Sequence, residues 1–185
     1  MKRIIFVLLI VSMVAFSALA VDFMSYPPPV DGGDLLLNAG VGFGGFGQPG
    51  STVRIPPIVG ALEYCLPLGV PVSVGGVVSF YQYGWTSEFW SYVHTYFTLA
   101  GRANWHWNID VEWLDLYSGI SIGYTNHSYS SKGPSGQDDP RPNLNYGGLY
   151  WAGQVGARFY FVETIGAFAE IGHPMWLQMG ITFKF

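Results

Sequence analysis

Six charged residues carry the strongest chemical signal in the chain. Arg102, Arg158 and Lys184 are basic, and Glu63, Asp115 and Glu170 are acidic. Each lies in a stretch where residue character alternates. Each shares its parity with Gly, Ser, Thr and Asn rather than with Leu, Ile and Phe. Charges of both signs on one small-residue face must pair if that face is closed off from water. Removing one partner of a buried pair costs about 3–5 kcal/mol. Such a network is either a static polar core or a gate. Four histidines, His94, His106, His127 and His173, fall in separate segments, so no metal centre is expected. No cofactor is expected either. Cys65 is a lone cysteine, which excludes an internal disulfide framework and a CxxC site. The run Gly40–Gly45, GVGFGG, is no phosphate loop, because no helix follows it.

Those charges need strands to position them. Period-two alternation runs through Asp34–Gly44, Val72–Tyr83, Tyr96–His106, Leu114–Thr125, Leu149–Phe161, Ile165–Gly172 and Leu177–Phe185. In Leu114–Thr125, for example, Leu116, Ile120 and Ile122 oppose Asp115, Tyr117, Gly119 and Ser121. An eighth strand, about Ile58–Leu66, makes the count even, with Pro56 and Pro57 expected at its entrance. Half of the residues are apolar, 17% are aromatic and 11% are charged, against about 25% charged in a typical soluble domain. That balance excludes a disordered chain. The net charge of −4 argues against a nucleic-acid partner.

The face of small and polar residues suits a crowded barrel interior, and the apolar face suits lipid. Strands of about 9–11 residues cross a bilayer when tilted. The fold expected is all-β: an eight-stranded antiparallel up-and-down transmembrane β-barrel. Aromatic residues near the strand ends are expected at the two membrane interfaces. One group includes Tyr81, Tyr83, Trp85, Tyr92, Tyr129, Tyr150, Trp151 and Trp176; the other includes Trp105, Trp113, Phe159 and Phe183.

Residues 1–20 read as a cleaved secretory signal: Lys2 and Arg3, an apolar run from Ile4, then Ala18-Leu19-Ala20. Residues 21–33 form a periplasmic lead-in, and residues 34–185 the barrel. The longest outer connection is expected from about His127 to Gly147, rich in Ser, Gly, Asp and Pro. A shorter one, Trp85–Ser91, is expected to expose Phe89 and Trp90; Trp85, Phe89 and Trp90 are candidate contacts for an extracellular ligand.

The segments Thr98–Trp107 (TLAGRANWHW), Leu116–Tyr124 (LYSGISIGY), Gly153–His173 and Leu177–Phe185 (LQMGITFKF) together resemble the small outer-membrane β-barrel family that includes OmpA and OmpX. The resemblance implies a bacterial outer-membrane location, with outer-membrane lipids around the barrel. It also implies that Phe185 is a terminal signal for the barrel assembly machinery. In that family, interior ion pairs bridge the lumen; Arg102, Arg158 and Glu170 match the pattern. The pair His127-Ser128 invites comparison with outer-membrane lipid A deacylases, which use a His and a Ser two residues apart. Here Tyr129 takes the two-apart position, so the pattern fails. The function expected is non-enzymatic: an envelope scaffold presenting surface loops for interaction. The alternatives are a narrow gated pore for ions or small solutes, or a lipid-modifying enzyme.

Overall fold

A computed structural model describes residues 29–44, 50–86, 90–109, 111–133, 144–172 and 175–185. The signal segment 1–20 and most of the lead-in fall outside the described residues. Eight strands follow in chain order. They are β1 (Leu35–Phe43), β2 (Thr52–Cys65), β3 (Val72–Thr86), β4 (Ser91–Trp107), β5 (Leu114–Lys132), β6 (Leu144–Val162), β7 (Ile165–Gly172) and β8 (Leu177–Lys184). Each pairs antiparallel with its neighbour, and β1 pairs with β8, closing the barrel in up-and-down order. Phe185 completes the seam: its N–H donates to Leu35 O at 3.0 Å, and Leu35 N–H donates to Phe185 O at 2.9 Å.

Alternation sets the two faces. On β5, Ile120 and Ile122 are exposed while Asp115, Tyr117 and Ser121 are buried. The same holds around the barrel: Val41, Ile58, Leu62, Val78, Leu99, Val155 and Ile181 point outward and exposed. Only hydrocarbon solvates such a continuous apolar belt at low cost. No helix among the described residues is long and apolar enough to cross a membrane; here the strands cross. At the end that bears Leu35 and Phe185, Val30 packs with Leu36, Cys65 and Tyr160. Trp105, Phe159 and Phe183 lie at that end and face outward, as the parity predicts, and Trp113, in the turn before β5, is exposed and stacks on Phe159.

Three sequence expectations change at the far end. First, β2 begins at Thr52, so Pro56 and Pro57 lie inside it. The β2–β3 register shifts twice between Val53 and Ile58, and pairing with β1 stops at Ile58. The prolines thus sit at a bulge on an edge, where no ladder donor is lost. Second, the far ends of β3–β6 run several residues past the predicted limits, with register unbroken from Thr86↔Ser91 and Ser91↔Lys132. Trp85 and His127 therefore belong to strands, not loops. Third, Tyr81, Tyr83, Trp85, Tyr92, Tyr129 and Tyr150 form no outer-facing girdle. They share parity with the lumen residues of their strands and turn inward, whereas Trp151 and Trp176 remain outside, 74% and 78% exposed.

Candidate functional site

The lumen is filled by one connected polar network. Arg158 of β6 is its hub and is fully buried. Its Nη1 donates to Asp115 Oδ2 at 2.8 Å, its Nη2 to Glu63 Oε1 at 2.7 Å and its Nε to Asn38 Oδ1 at 3.2 Å. The Tyr117 ring lies 4.1 Å from the guanidinium carbon, within cation–π range. Arg102 of β4 donates to Glu170 Oε2 at 2.5 Å and lies 3.5 Å from Glu63 Oε1. Glu170 also accepts from the Tyr117 hydroxyl at 2.8 Å. Glu63 accepts further from Asn104 and Ser73, each at 2.7 Å. Multiple donors on each carboxylate are what a buried ion cluster requires, since every unfilled lone pair adds desolvation cost.

Local sequence explains how side chains from non-adjacent strands meet. Glu63 pairs with Gly75, which pairs with Arg102. Tyr117 pairs with Gly156, which pairs with Glu170. Asn104 pairs with Gly119, which pairs with Gln154. In each case the middle strand contributes no side chain, and the flanking polar groups reach across it. A Cβ on Gly156 would lie 2.3 Å from the Tyr117 ring. Asp115 and Arg158, in contrast, are direct cross-strand partners.

Of the six charged residues singled out by parity, Glu63, Arg102, Asp115, Arg158 and Glu170 are brought together here. Lys184 shares the inward parity but stands apart. It is the last residue of β8, at the mouth, where its Nζ donates to Pro29 O at 2.9 Å and lies 5.3 Å from the Tyr160 ring. His106 enters the network instead, with Nδ1 2.8 Å from Asp115 Oδ1 and Nε2 2.9 Å from Ser73 Oγ. Periodicity placed His106 inward but gave it no role. His106 reaches Asp115 and Ser73 diagonally on the two strands beside it, a placement legible only once the register is known.

Asp115, His106 and Ser73 stand in the order of an acid, a base and a nucleophile. Their surroundings do not suit that chemistry. Ser73 is fully buried, and its hydroxyl donates to Glu63 rather than to His106. A serine whose proton is committed elsewhere and whose oxygen meets no solvent is not an activated nucleophile. Beside Arg102 and Glu170 the lumen keeps a cavity of about 10 Å³, room for about one water molecule. Among the described residues no group of three side chains could hold a metal ion.

The remaining candidates are dispersed. Cys65 is a buried free thiol. Trp85 stacks inside the barrel wall with His94, and Trp90 is half-buried. Phe89 lies outside the described residues, as do His173 and residues 134–143 of the long connection. Phe185 is 70% exposed at the seam.

No family model matches the chain, and no curated protein matches it. Solved structures do. The Ail protein of Yersinia pestis, in complex with the heparin analogue sucrose octasulfate, aligns with a TM-score of 0.55 at 13% identity, over 84% of this chain and 100% of that one. A second Ail structure gives 0.50 at 14% identity over the same shares. The N-terminal β-barrel domain of Pseudomonas aeruginosa OprF gives 0.45 at 13% identity, over 84% and 98%. At these identities the likeness is one of fold. The closed eight-strand up-and-down topology, with its apolar outer belt and filled lumen, is the fold of the small outer-membrane β-barrels to which Ail belongs.

Proposed function

We propose that the chain is a non-enzymatic integral outer-membrane protein, a rigid envelope scaffold that presents its far end to the cell exterior for interaction. The observation that carries this reading is the pairing of a lipid-compatible belt with a lumen plugged by ion pairs. Eight strands leave an interior that side chains fill, and the single-water cavity beside Glu170 is too small for solute flux. Residues 1–20 would direct export and be removed, both strand termini would lie in the periplasm, and Phe185 would be read by the assembly machinery. The extracellular connections supply the contact surface, as loops on a rigid frame commonly do. Fractionation with heat-shift electrophoresis and bilayer recording tests the proposal. The protein should partition with outer membranes, migrate differently after boiling and show negligible conductance. Recovery from the soluble periplasm, or sustained single-channel current, would overturn it.

A further inference from the structure

Glu63, Ser73, His106 and Asp115 form a chain of three contacts inside the lumen network. Ser73 Oγ lies 2.7 Å from Glu63 Oε2, His106 Nε2 lies 2.9 Å from Ser73 Oγ, and His106 Nδ1 lies 2.8 Å from Asp115 Oδ1. The four side chains come from four successive strands, β2 to β5, and are at most 1% exposed. Each contact joins two heteroatoms at hydrogen-bond distance and needs one proton between them. An empty contact would set lone pair against lone pair. The serine hydroxyl brings one proton, and a neutral imidazole brings one. Ionised Glu63 and Asp115 bring none. Two protons cannot fill three contacts, so the chain is one proton short.

Counting charges gives the same number by a separate route. Among the described residues, the buried Arg102 and Arg158 face the buried Glu63, Asp115 and Glu170, one more acid than base. A buried charge without compensation is costly. Lys184, the third base on the inward parity, is engaged at the mouth with Pro29 O. The other titratable groups beside the cluster are Cys65, Tyr117 and Tyr160. A thiol and two phenols carry no charge near pH 7. Neither carboxyl in the chain is the natural home for the missing proton. Glu63 already accepts from Arg158 Nη2 and Asn104 Nδ2, each at 2.7 Å, and Asp115 accepts from Arg158 Nη1 at 2.8 Å. Such charge-assisted donors hold both groups as carboxylates. The imidazole is the remaining base.

We propose that the lumen binds one structural proton, carried by His106 as an imidazolium. Nδ1–H then donates to Asp115 Oδ1, Nε2–H donates to Ser73 Oγ, and Ser73 gives its own proton to Glu63 Oε2. All three contacts are filled, and the cluster holds three cations against three anions. His106 is thereby the third base of the plug, in the place that parity offered to Lys184. Loss of this proton would empty one contact and leave the interior with one uncompensated negative charge. The plug of the lumen is therefore locked by a proton, a property that goes beyond the scaffold reading and does not depend on it.

The test uses the full chain, labelled with nitrogen-15 in its histidine rings and refolded in detergent micelles at about pH 7.5, where an ordinary imidazole is mostly neutral. Ring nitrogen spectra show which nitrogens carry protons, and the His106 signals are those lost in His106→Gln. In the unsubstituted protein both His106 nitrogens should be protonated. Two variants each remove one acid, and both should release the extra proton while leaving opposite tautomers. In Asp115→Asn the new amide N–H fills the contact to Nδ1, so Nε2 alone should keep its proton. In Glu63→Gln the new amide N–H donates to Ser73, whose hydroxyl turns to His106, so Nδ1 alone should keep its proton. Heat-shift electrophoresis checks that each variant is folded. A bare ring nitrogen in the unsubstituted protein would overturn the proposal, and that reading needs no variant to fold. A folded variant that keeps both protons, or keeps one on the opposite nitrogen, would overturn it as well. Those results leave the scaffold reading intact, because that reading fails only on fractionation or conductance.

Discussion

The lower and upper halves of the same inward face are built from opposite materials. Inside the membrane belt the lumen holds Arg158, Glu63, Asp115, Arg102 and Glu170 among glycines, and the outer face is apolar. Beyond the belt the inner face is Tyr, Trp and His, and the outer face is Gln82, Thr95, Asn126 and Ser128. The polarity of the sheet inverts along single strands because the solvent inverts. Hydrocarbon rewards outward Leu and Ile, and leaves the interior as the only place for polar groups. Water above the membrane rewards outward polar residues and leaves aromatic rings to find each other. The difference teaches that charge pairing holds the lower half, whereas stacking and a few neutral hydrogen bonds order the upper half.

Breaking the lower half should produce the largest effect. Arg158→Met would leave Asp115 and Glu63 short of a buried partner and should cost about 3–5 kcal/mol in urea unfolding from lipid vesicles. Adding Asp115→Asn should recover part of that loss; a double-mutant cycle without coupling would show that the pair does not act as a unit. Gly156→Val comes next. Its branched side chain would push into the Tyr117 ring and disturb Tyr117–Glu170, for about 1–3 kcal/mol. An unchanged unfolding midpoint would mean that the spacing glycine is dispensable.

The upper half should respond more weakly and locally. Tyr96→Phe removes the hydroxyl pair with Tyr83 and should cost about 0.5–1.5 kcal/mol at most. Its clearer signature should be faster amide exchange along Ser91–Thr95, with the lumen strands unaffected. Loss of protection throughout the barrel would erase the distinction between the halves. Smallest of all is the response to acid. Because burial holds the His94 and His127 pair below the ordinary histidine value near 6.5, the unfolded chain takes up protons more readily. The stabilisation from the neutral pair is therefore present above about pH 6.5 and is lost as pH falls below it. Protonating both rings also sets two N–H groups against one another across a 2.8 Å hydrogen bond. Protection at His94 and His127, taken relative to the intrinsic amide exchange rate at each pH, should fall between pH 7 and pH 5, while His94→Gln should flatten the profile. Protection that does not change with pH in the unsubstituted protein would refute the neutral pair.

Legibility in the sequence follows the same division. The near end of β5 at Leu114, the start of β8 at Leu177 and both limits of Ile165–Gly172 were readable because lipid outside and small residues inside give a strong period of two. The far ends of β3–β6 were not. Where both faces mix aromatic and polar residues, Tyr92, His94 and Tyr96 alternate with Ser91, Val93 and Thr95 without an apolar stripe to reveal a strand. Loop composition then made His127 look like the start of a connection. Pro56 and Pro57 misled in the same way, since their tolerance depends on a bulge and a free edge.

By itself, the sequence determined the fold class and the inward side of Glu63, Arg102, Asp115, Arg158 and Glu170, because parity is a local property of a strand. Partnership was decided by the tertiary structure. Arg158 meets Glu63 across the lumen, His106 enters the network and Lys184 does not, because contact depends on register between strands, on which neighbour is glycine and on height along the barrel. None of those is fixed within one strand. They arise only when β1 meets β8 and the closed barrel sets every residue's level against all the others.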